Sequence, residues 1–337
     1  MYIVTGGSGF FGQHLVELLV SKGEAVKGLD VLPPATPVPG AMYALTDVTN
    51  PQAVAEELRP NDVLIHNAAV VPLARDKKRF WQVNVEGTKA VLKAAEAVGV
   101  KKVIFISSSS VFGVPTTSGP ITEETPLAPF EEYGKSKAAA EAVCRSFKDR
   151  LDISIVRPRT IVGPGRMGIL ALIFDWVARH RPVIVLGQGR NRYQLIAASD
   201  LAEAVYRIST SPACKGEDVN IGTSFFGPLR EDLEGFFIKV GSRSRVYGVP
   251  GVIARLVLPL LSAVRLVPFV SYQYTVADKD IFFSTEKIER LLNWVPTKSN
   301  ADMLAEAFLW YKQHPKTGKG GSIHSRGVKR GLLRLLG

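Results

Sequence analysis

Cysteine is scarce. Cys144 and Cys214 lie far apart, with no Cys-x-x-Cys and no cysteine/histidine cluster, which argues against a metal site and for a reducing compartment. Met1 leads straight into an apolar strand, without the basic stretch and cleavage site of a secretory signal, so a cytoplasmic protein is expected. A long unbroken apolar run is also missing. Val246 to Phe269 is very apolar, yet Arg255, Pro259, Arg265 and Pro268 interrupt it, which is too broken for a transmembrane helix. The expectation there is an amphipathic helix forming a substrate lid or subunit contact, close to Ser271-Tyr272-Gln273-Tyr274. Acids are absent from residues 316–337, where Lys316, Lys319, Arg326, Lys329, Arg330 and Arg334 stand. Much of the formal charge of +11 therefore sits in that tail, and the mildly basic remainder suits anionic small molecules rather than nucleic acid. No internal repeat is visible.

The composition, 46% hydrophobic and 22% charged over 337 residues, is that of a globular chain long enough for one large α/β domain with a smaller appendage. Tyr2 to Thr5 reads as a buried strand, and Gly6-Gly7-Ser8-Gly9-Phe10-Phe11-Gly12 follows at once. An amphipathic helix then carries Leu15, Leu18 and Leu19 and stops at Gly23. Gly6 and Gly9 permit a tight turn and close backbone approach to a pyrophosphate. Gly12 lets the helix pack on the strand, and the helix N-terminus attracts the anion. The next strand, Ala25 to Leu29, ends in Asp30, where an acid can bind a ribose 2′-hydroxyl. Val31 to Ala35 offers no Arg or Lys for a 2′-phosphate, which points to NAD rather than NADP.

Tyr133-Gly134-Lys135-Ser136-Lys137 heads an alanine-rich helical run. Residues four apart share a helix face, so the Lys137 ammonium can sit beneath the Tyr133 phenol and favour phenolate. A solvated helix face is the plain alternative.

In this order the motifs resemble the extended short-chain dehydrogenase/reductases, which include nucleotide-sugar epimerases and 3β-hydroxysteroid dehydrogenases. The resemblance runs from Tyr2 to about residue 315. It implies a Rossmann-type doubly wound parallel sheet of the α/β class with a smaller C-terminal substrate-binding subdomain. The NAD-binding domain would span 1–163, with returns near 183–222 and 276–290. Residues 164–315 would be mainly substrate-binding, and 316–337 a basic amphipathic tail. By the same resemblance Phe10 and Phe11 belong to the cofactor loop. Asp47-Val48 resembles an adenine-binding acid and its neighbour, and His66-Asn67-Ala68-Ala69 is similar to the fourth-strand motif, whose Ala68 and Ala69 lie along the cofactor. Asn84, read as opening the next helix, would support a water relay beneath the catalytic lysine. Ser108, four residues before Phe112 in Ser107 to Gly113, would anchor the substrate oxygen, with Ser109 beside it. Tyr133 would be the acid/base and Lys137 the residue that depresses its pKa and holds the nicotinamide ribose. Pro158-Arg159-Thr160 begins a loop similar to the one that packs on the nicotinamide, with Arg159 on the substrate side.

The common chemistry is interconversion of a secondary alcohol and a ketone on NAD. Dehydratases of the family carry an Asp-Glu pair directly after the catalytic Thr, where this chain has Ser109-Ser110, and a sugar dehydratase is disfavoured. A nucleotide-sugar (UDP-hexose type) 4-epimerase is the first expectation, and a 3β-hydroxysteroid-like or other lipid alcohol dehydrogenase the alternative. Arg190 and Arg192 either clamp a substrate diphosphate or are solvated loop charges. Tyr193 stands where many epimerases have a diphosphate-binding arginine. A homodimer is expected, and Val328, Leu332, Leu335 and Leu336 beside the tail's basic residues would allow weak membrane-surface contact.

Overall fold

The computed structural model describes residues 1–71, 77–114, 119–168, 170–249 and 278–314. Strands and helices alternate through the first half: β1 (Tyr2–Thr5), α1 (Phe10–Ser21), β2 (Val26–Asp30), β3 (Met42–Leu45), α2 (Pro51–Glu57) and β4 (Val63–His66). A short α3 (Lys77–Arg79) runs through π-helical turns, Phe80–Gly87, into α4 (Thr88–Val98), and β5 (Lys102–Ile106), α5 (Glu132–Arg145) and β6 (Ile153–Pro158) follow. Local signals set several boundaries. Asn50 caps α2 through its side chain with Pro51 in the first turn, and Gly99, at φ +79°, ends α4 in the left-handed conformation that glycine adopts without strain.

The central sheet has seven strands in the order β3-β2-β1-β4-β5-β6-β10, where β10 is Asp218–Ile221, and every pairing is parallel. Its strands are apolar on both sides, as a sheet covered on two faces requires. Val4, Ile65, Ile104, Val156 and Val219 pack on α1 and α7 (Ala198–Thr210). Their neighbours Ile3, Leu64, Val103 and Ile155 face the opposite way, against residues of α2, α4 and α5. The order in which strands are added reverses between β1 and β4, and there the loops after Thr5 and His66 open a crevice at the carboxyl ends of the strands.

The remaining elements are β7 (Thr160–Val162), α6 (Leu170–Ala178), β8 (Val183–Leu186), β9 (Leu195–Ala197), α8 (Leu229–Lys239), β11 (Val246–Val249), α9 (Glu286–Leu292) and α10 (Asn300–Gln313). β7 pairs with β9 and β8 with β11 in two small parallel sheets. Val183, Val185 and Val246 join Phe174, Phe236 and Phe308 in a separate core. β8 therefore does not return to the large sheet, although β10 does, because its apolar face is taken by α6 and α8. The expected helix from Val246 is corrected at its start, where Val246–Val249 is a strand. Residues 250–277, including Ser271 to Tyr274, and the tail 316–337 lie outside the described residues. Ile281 and Phe283 make single bridges to Tyr193 and Ile121. No helix among the described residues is long and apolar enough to cross a membrane.

Beneath β5, β6 and β10 lies a buried ion cluster. The Glu141 carboxylate accepts from Ser107 Oγ (2.6 Å), Arg157 Nε (2.9 Å) and Arg157 Nη2 (2.8 Å). Arg157 Nη2 also reaches Asp218 (2.9 Å). Removing one partner of such a pair strands the other charge, so Glu141→Ala is expected to lose about 3 kcal/mol or more in denaturant unfolding. A loss below about 1 kcal/mol would show that the cluster carries little of the fold's stability.

Candidate active site

Gly6, at φ +68°, turns the chain so closely beneath the loop after β4 that a Cβ there would stand 2.9 Å from the Ala68 backbone. At Gly12 a Cβ would fall 2.1 Å from the Gly6 carbonyl oxygen, so glycine alone lets α1 begin this near β1. No side chain caps the α1 N-terminus at Gly9, and its amides and dipole favour an anion. Asp30 ends β2 beside the same turn, with its carboxylate accepting from Ser8 N–H (3.2 Å) and Val31 N–H (2.8 Å). Burial raises its pKa, and these hydrogen bonds oppose the rise. A glycine-lined helix start for a pyrophosphate, with a carboxylate for a ribose hydroxyl, fits a dinucleotide. Phe10 and Phe11 are buried behind the turn and Val48 packs near Gly87. Asp47 is exposed and accepts from Thr49 N–H and Oγ1. Ala68 N–H donates to Thr5 Oγ1 (3.1 Å), and Ala69 follows, half-buried.

From Thr5 a chain of hydrogen bonds crosses the site. Thr5 Oγ1 accepts from the N–H groups of Asn67 and Ala68 and contacts His66 Nδ1 at 2.7 Å. Its own proton must therefore go to Nδ1. His66 Nε2 lies 3.0 Å from Thr88 Oγ1, which donates to the Asn84 carbonyl, so the imidazole is neutral with its proton on Nε2.

Asn84 needs correction. It lies mid-helix in the π-helical turns, not at a helix start, because Lys77 to Val83 already form helix before it. Its Nδ2 donates to the Val70 carbonyl (3.1 Å) and Ser136 Oγ (3.0 Å), and its Oδ1 accepts from Val70 N–H (2.8 Å). The side chain thus braces the loop after β4 against α5 rather than reaching Lys137.

Tyr133 and Lys137 both stand on α5, and Ser108 follows β5. Ser108 Oγ accepts from Ser110 N–H (3.2 Å) and Ser110 Oγ (3.0 Å), which leaves its proton free on the side of the Tyr133 phenol, whose pKa Ser108 lowers. Ser109, half-buried, begins the short turn that follows. Burial pushes the Tyr133 phenol up, opposed by Ser108 and by Arg166. The expected lowering by Lys137 is corrected here. Its Nζ donates to the Ile106 carbonyl (2.7 Å) and lies 4.1 Å from the Phe105 ring, because a buried ammonium takes the nearest carbonyl at the strand end. Burial lowers Lys137 to about 8.

Arg166 was not anticipated. It follows Gly165, whose φ of +87° turns the chain toward Phe10, and its guanidinium stands 5.5 Å from the Phe10 ring. Burial lowers it to about 10, while Tyr133 and Tyr193 act the other way. That glycine turn was its one sequence signal.

On the substrate side Pro158 ends β6, and Thr160 Oγ1 shares a hydrogen bond with Tyr193 OH (2.9 Å). Arg159 is buried between the Tyr193 and Phe283 rings. Arg190 is exposed. Arg192 is committed to Asp280, with Nη2 at 2.8 Å and Nε at 3.0 Å, and lies over Phe282. Of the two readings open for Arg192, this ion pair favours the loop charge over the diphosphate clamp.

The NAD dependent epimerase/dehydratase family model matches residues 2–222. The chain belongs to that family. Its members depend on NAD, the cofactor of this protein too, and they are extended short-chain dehydrogenase/reductases. The uncharacterized protein y4nG of Sinorhizobium fredii is 38% identical over 99% of this chain and 85% of its own. The sterol-4-alpha-carboxylate 3-dehydrogenase, decarboxylating, of Mus musculus is 26% identical over 87% of this chain and 86% of its own. Among solved structures, a UDP-glucose 4-epimerase from Thermotoga maritima with UDP-glucose superposes with a TM-score of 0.77 at 21% identity, covering 94% of this chain and 99% of that one.

Burial and Lys137 hold the His66 pKa at about 3, below its ordinary 6.5. The folded state binds fewer protons than the unfolded one between those values. This stability is complete above the unfolded pKa and is lost as pH falls through that window. From about pH 6.5 to about pH 5 the unfolding free energy should drop by roughly 1 kcal/mol per unit. In urea titrations His66→Gln should flatten this slope while lowering stability at neutral pH. An unchanged slope would mean that His66 is not the group responsible.

Proposed function

We propose that this NAD-dependent family member is a nucleotide-sugar 4-epimerase acting through a secondary alcohol and its ketone. NAD, when bound, supplies the hydride acceptor and donor. Tyr133, once its own proton has been given up, takes the proton of the reacting hydroxyl as the phenolate and returns it as the phenol on the reverse half of the cycle. Ser108 donates to the same oxygen or to the phenol. Lys137, fixed on the Ile106 carbonyl, stands one helical turn from Tyr133 to hold a ribose hydroxyl. Gly6, Gly9, Gly12, Asp30 and Ala68 line the dinucleotide side.

The observation that carries the reading is the Ser108–Tyr133 pair at the carboxyl end of β5, followed by Ser109 and Ser110 rather than acids. Without a carboxylate there to remove a second proton, oxidation and re-reduction of one carbon is the chemistry that these side chains support. A second reading, oxidation of a lipid alcohol, draws on Tyr193, which offers a ring instead of a cation beside Thr160, and on the sterol dehydrogenase relative.

The test begins with whatever cofactor co-purifies, followed by incubation with UDP-glucose or UDP-galactose without added NAD. Interconversion of the sugars with no net NADH is expected, together with a fall of about 10²–10⁴-fold for Tyr133→Phe. Stoichiometric NADH from a hydroxysteroid would replace this reading with the second. Turnover unchanged in Tyr133→Phe would remove Tyr133 from the chemistry.

A further inference from the structure

Two arginines at the carboxyl end of β6 are treated in opposite ways. Arg157 is held bidentately by Glu141 and reaches Asp218. Arg159, two residues on, is only 2% exposed, yet no carboxylate among the described residues lies within ion-pair distance of it. Its Nε donates to the Gln194 carbonyl (3.3 Å), and its guanidinium stands 5.2 Å from the Tyr193 ring and 5.4 Å from the Phe283 ring. Nη2 is buried and has no hydrogen-bond partner. A buried cation without a counter-ion is costly, and aromatic faces offset only part of that cost.

The surroundings are built to keep the guanidinium in place. Arg159 N–H donates to the Ile221 carbonyl (2.8 Å), which seats the residue at the carboxyl edge of the sheet, where open parallel sheets bind ligands. Gln194 is pinned through its side chain to Thr223 and Phe283, and Asn300 Nδ2 donates to the Tyr193 carbonyl (2.9 Å). Gln194 and Phe283 are buried while Tyr193 is half-buried, so a ligand approaches past the Tyr193 ring, beside Thr160.

We infer that Arg159 anchors an oxyanion of the substrate, a phosphate or a carboxylate carried by the same molecule as the reacting alcohol. This rests on the reading of the crevice as a substrate site, but not on which alcohol is turned over. A guanidinium offers paired N–H donors to either oxyanion, and pairing would satisfy Nη2 and neutralise the buried charge together.

Two matched pairs of probes decide it, measured by calorimetry on the NAD-loaded full chain: UDP against uridine, and a 3-hydroxysteroid carboxylic acid against its methyl ester. In at least one pair the charged member should bind at least about tenfold tighter. That advantage should vanish in Arg159→Met and survive in part in Arg159→Lys. Should Arg159→Met fail to fold, judged by NAD binding, Arg159→Gln answers the same question. An advantage confined to UDP identifies a nucleotide phosphate as the source. An advantage confined to the acid identifies a carboxylate and sinks the nucleotide-sugar reading while Arg159 keeps its role. The inference is overturned if neither pair shows an advantage in the native protein, or if the advantage is undiminished without the Arg159 charge. Binding needs no turnover, so a chain that prefers the charged member yet never epimerises refutes the epimerase alone.

Discussion

The proton on Thr5 Oγ1 has one place to go, and much of the site depends on it. Two backbone N–H groups of the loop after β4 occupy the acceptor side of that oxygen, so it donates to His66 Nδ1. This fixes the tautomer of a buried ring, which then donates to Thr88 and through it reaches the π-helical turns. Asn84 in those turns holds Val70 on one side and Ser136 on the other, and Ser136 Oγ donates back to the Tyr133 carbonyl (2.7 Å). The glycine turn, the loop after β4 and α5 are therefore positioned by one continuous polar network. A protonated His66 would present a second donor to an oxygen that already accepts twice, so the network itself disfavours the charged ring.

Charge below the crevice is arranged with similar economy. Glu141 and Asp218 are balanced beneath the strand ends by Arg157, Arg145 and Lys148, and Ser107 is tied into that cluster by its hydroxyl. The residue that follows, Ser108, is thereby held in an extended conformation that starts the short turn to Phe112. Lys137 sits close to the same cluster but spends its shortest hydrogen bond on a backbone carbonyl. A buried ammonium satisfied by a dipole rather than by a carboxylate gives up its proton more readily, which accords with its lowered pKa. The phenol beside it is pushed in the opposite direction by burial.

How far the sequence disclosed this follows the range of each interaction. The glycine turn, β1, β2 and the Tyr133–Lys137 spacing are local, set by residues within one strand or helix, and were legible. Asn84 was misread because a helix start depends on where the preceding segment, around Phe80, packs in the fold. The sequence could not decide between the two readings of Arg192 for a longer-range reason: its partner Asp280 is 88 positions away. Val183–Leu186 carried a plain strand signal, but whether it joins the large sheet or β11 is decided by which apolar face α6 and α8 cover. Arg166 gave almost no signal because its importance lies in proximity to Phe10, Tyr133 and Tyr193, three residues from three separate elements.

The same contrast of range separates the chemical half of the crevice from the recognition half. Hydride and proton transfer need a dinucleotide and a phenol at fixed separation, and seven parallel strands with the Thr5 to Ser136 network supply that rigidity. The surroundings of Arg159 are assembled instead from two small sheets and single bridges, Tyr193 to Ile281 and Phe283 to Ile121. Each bridge ties a loop by few hydrogen bonds, so one substitution there changes what the pocket offers without disturbing the sheet. Arg159 lies in a buried seat, where an oxyanion held as proposed would meet less competition from water and so be selected more strongly.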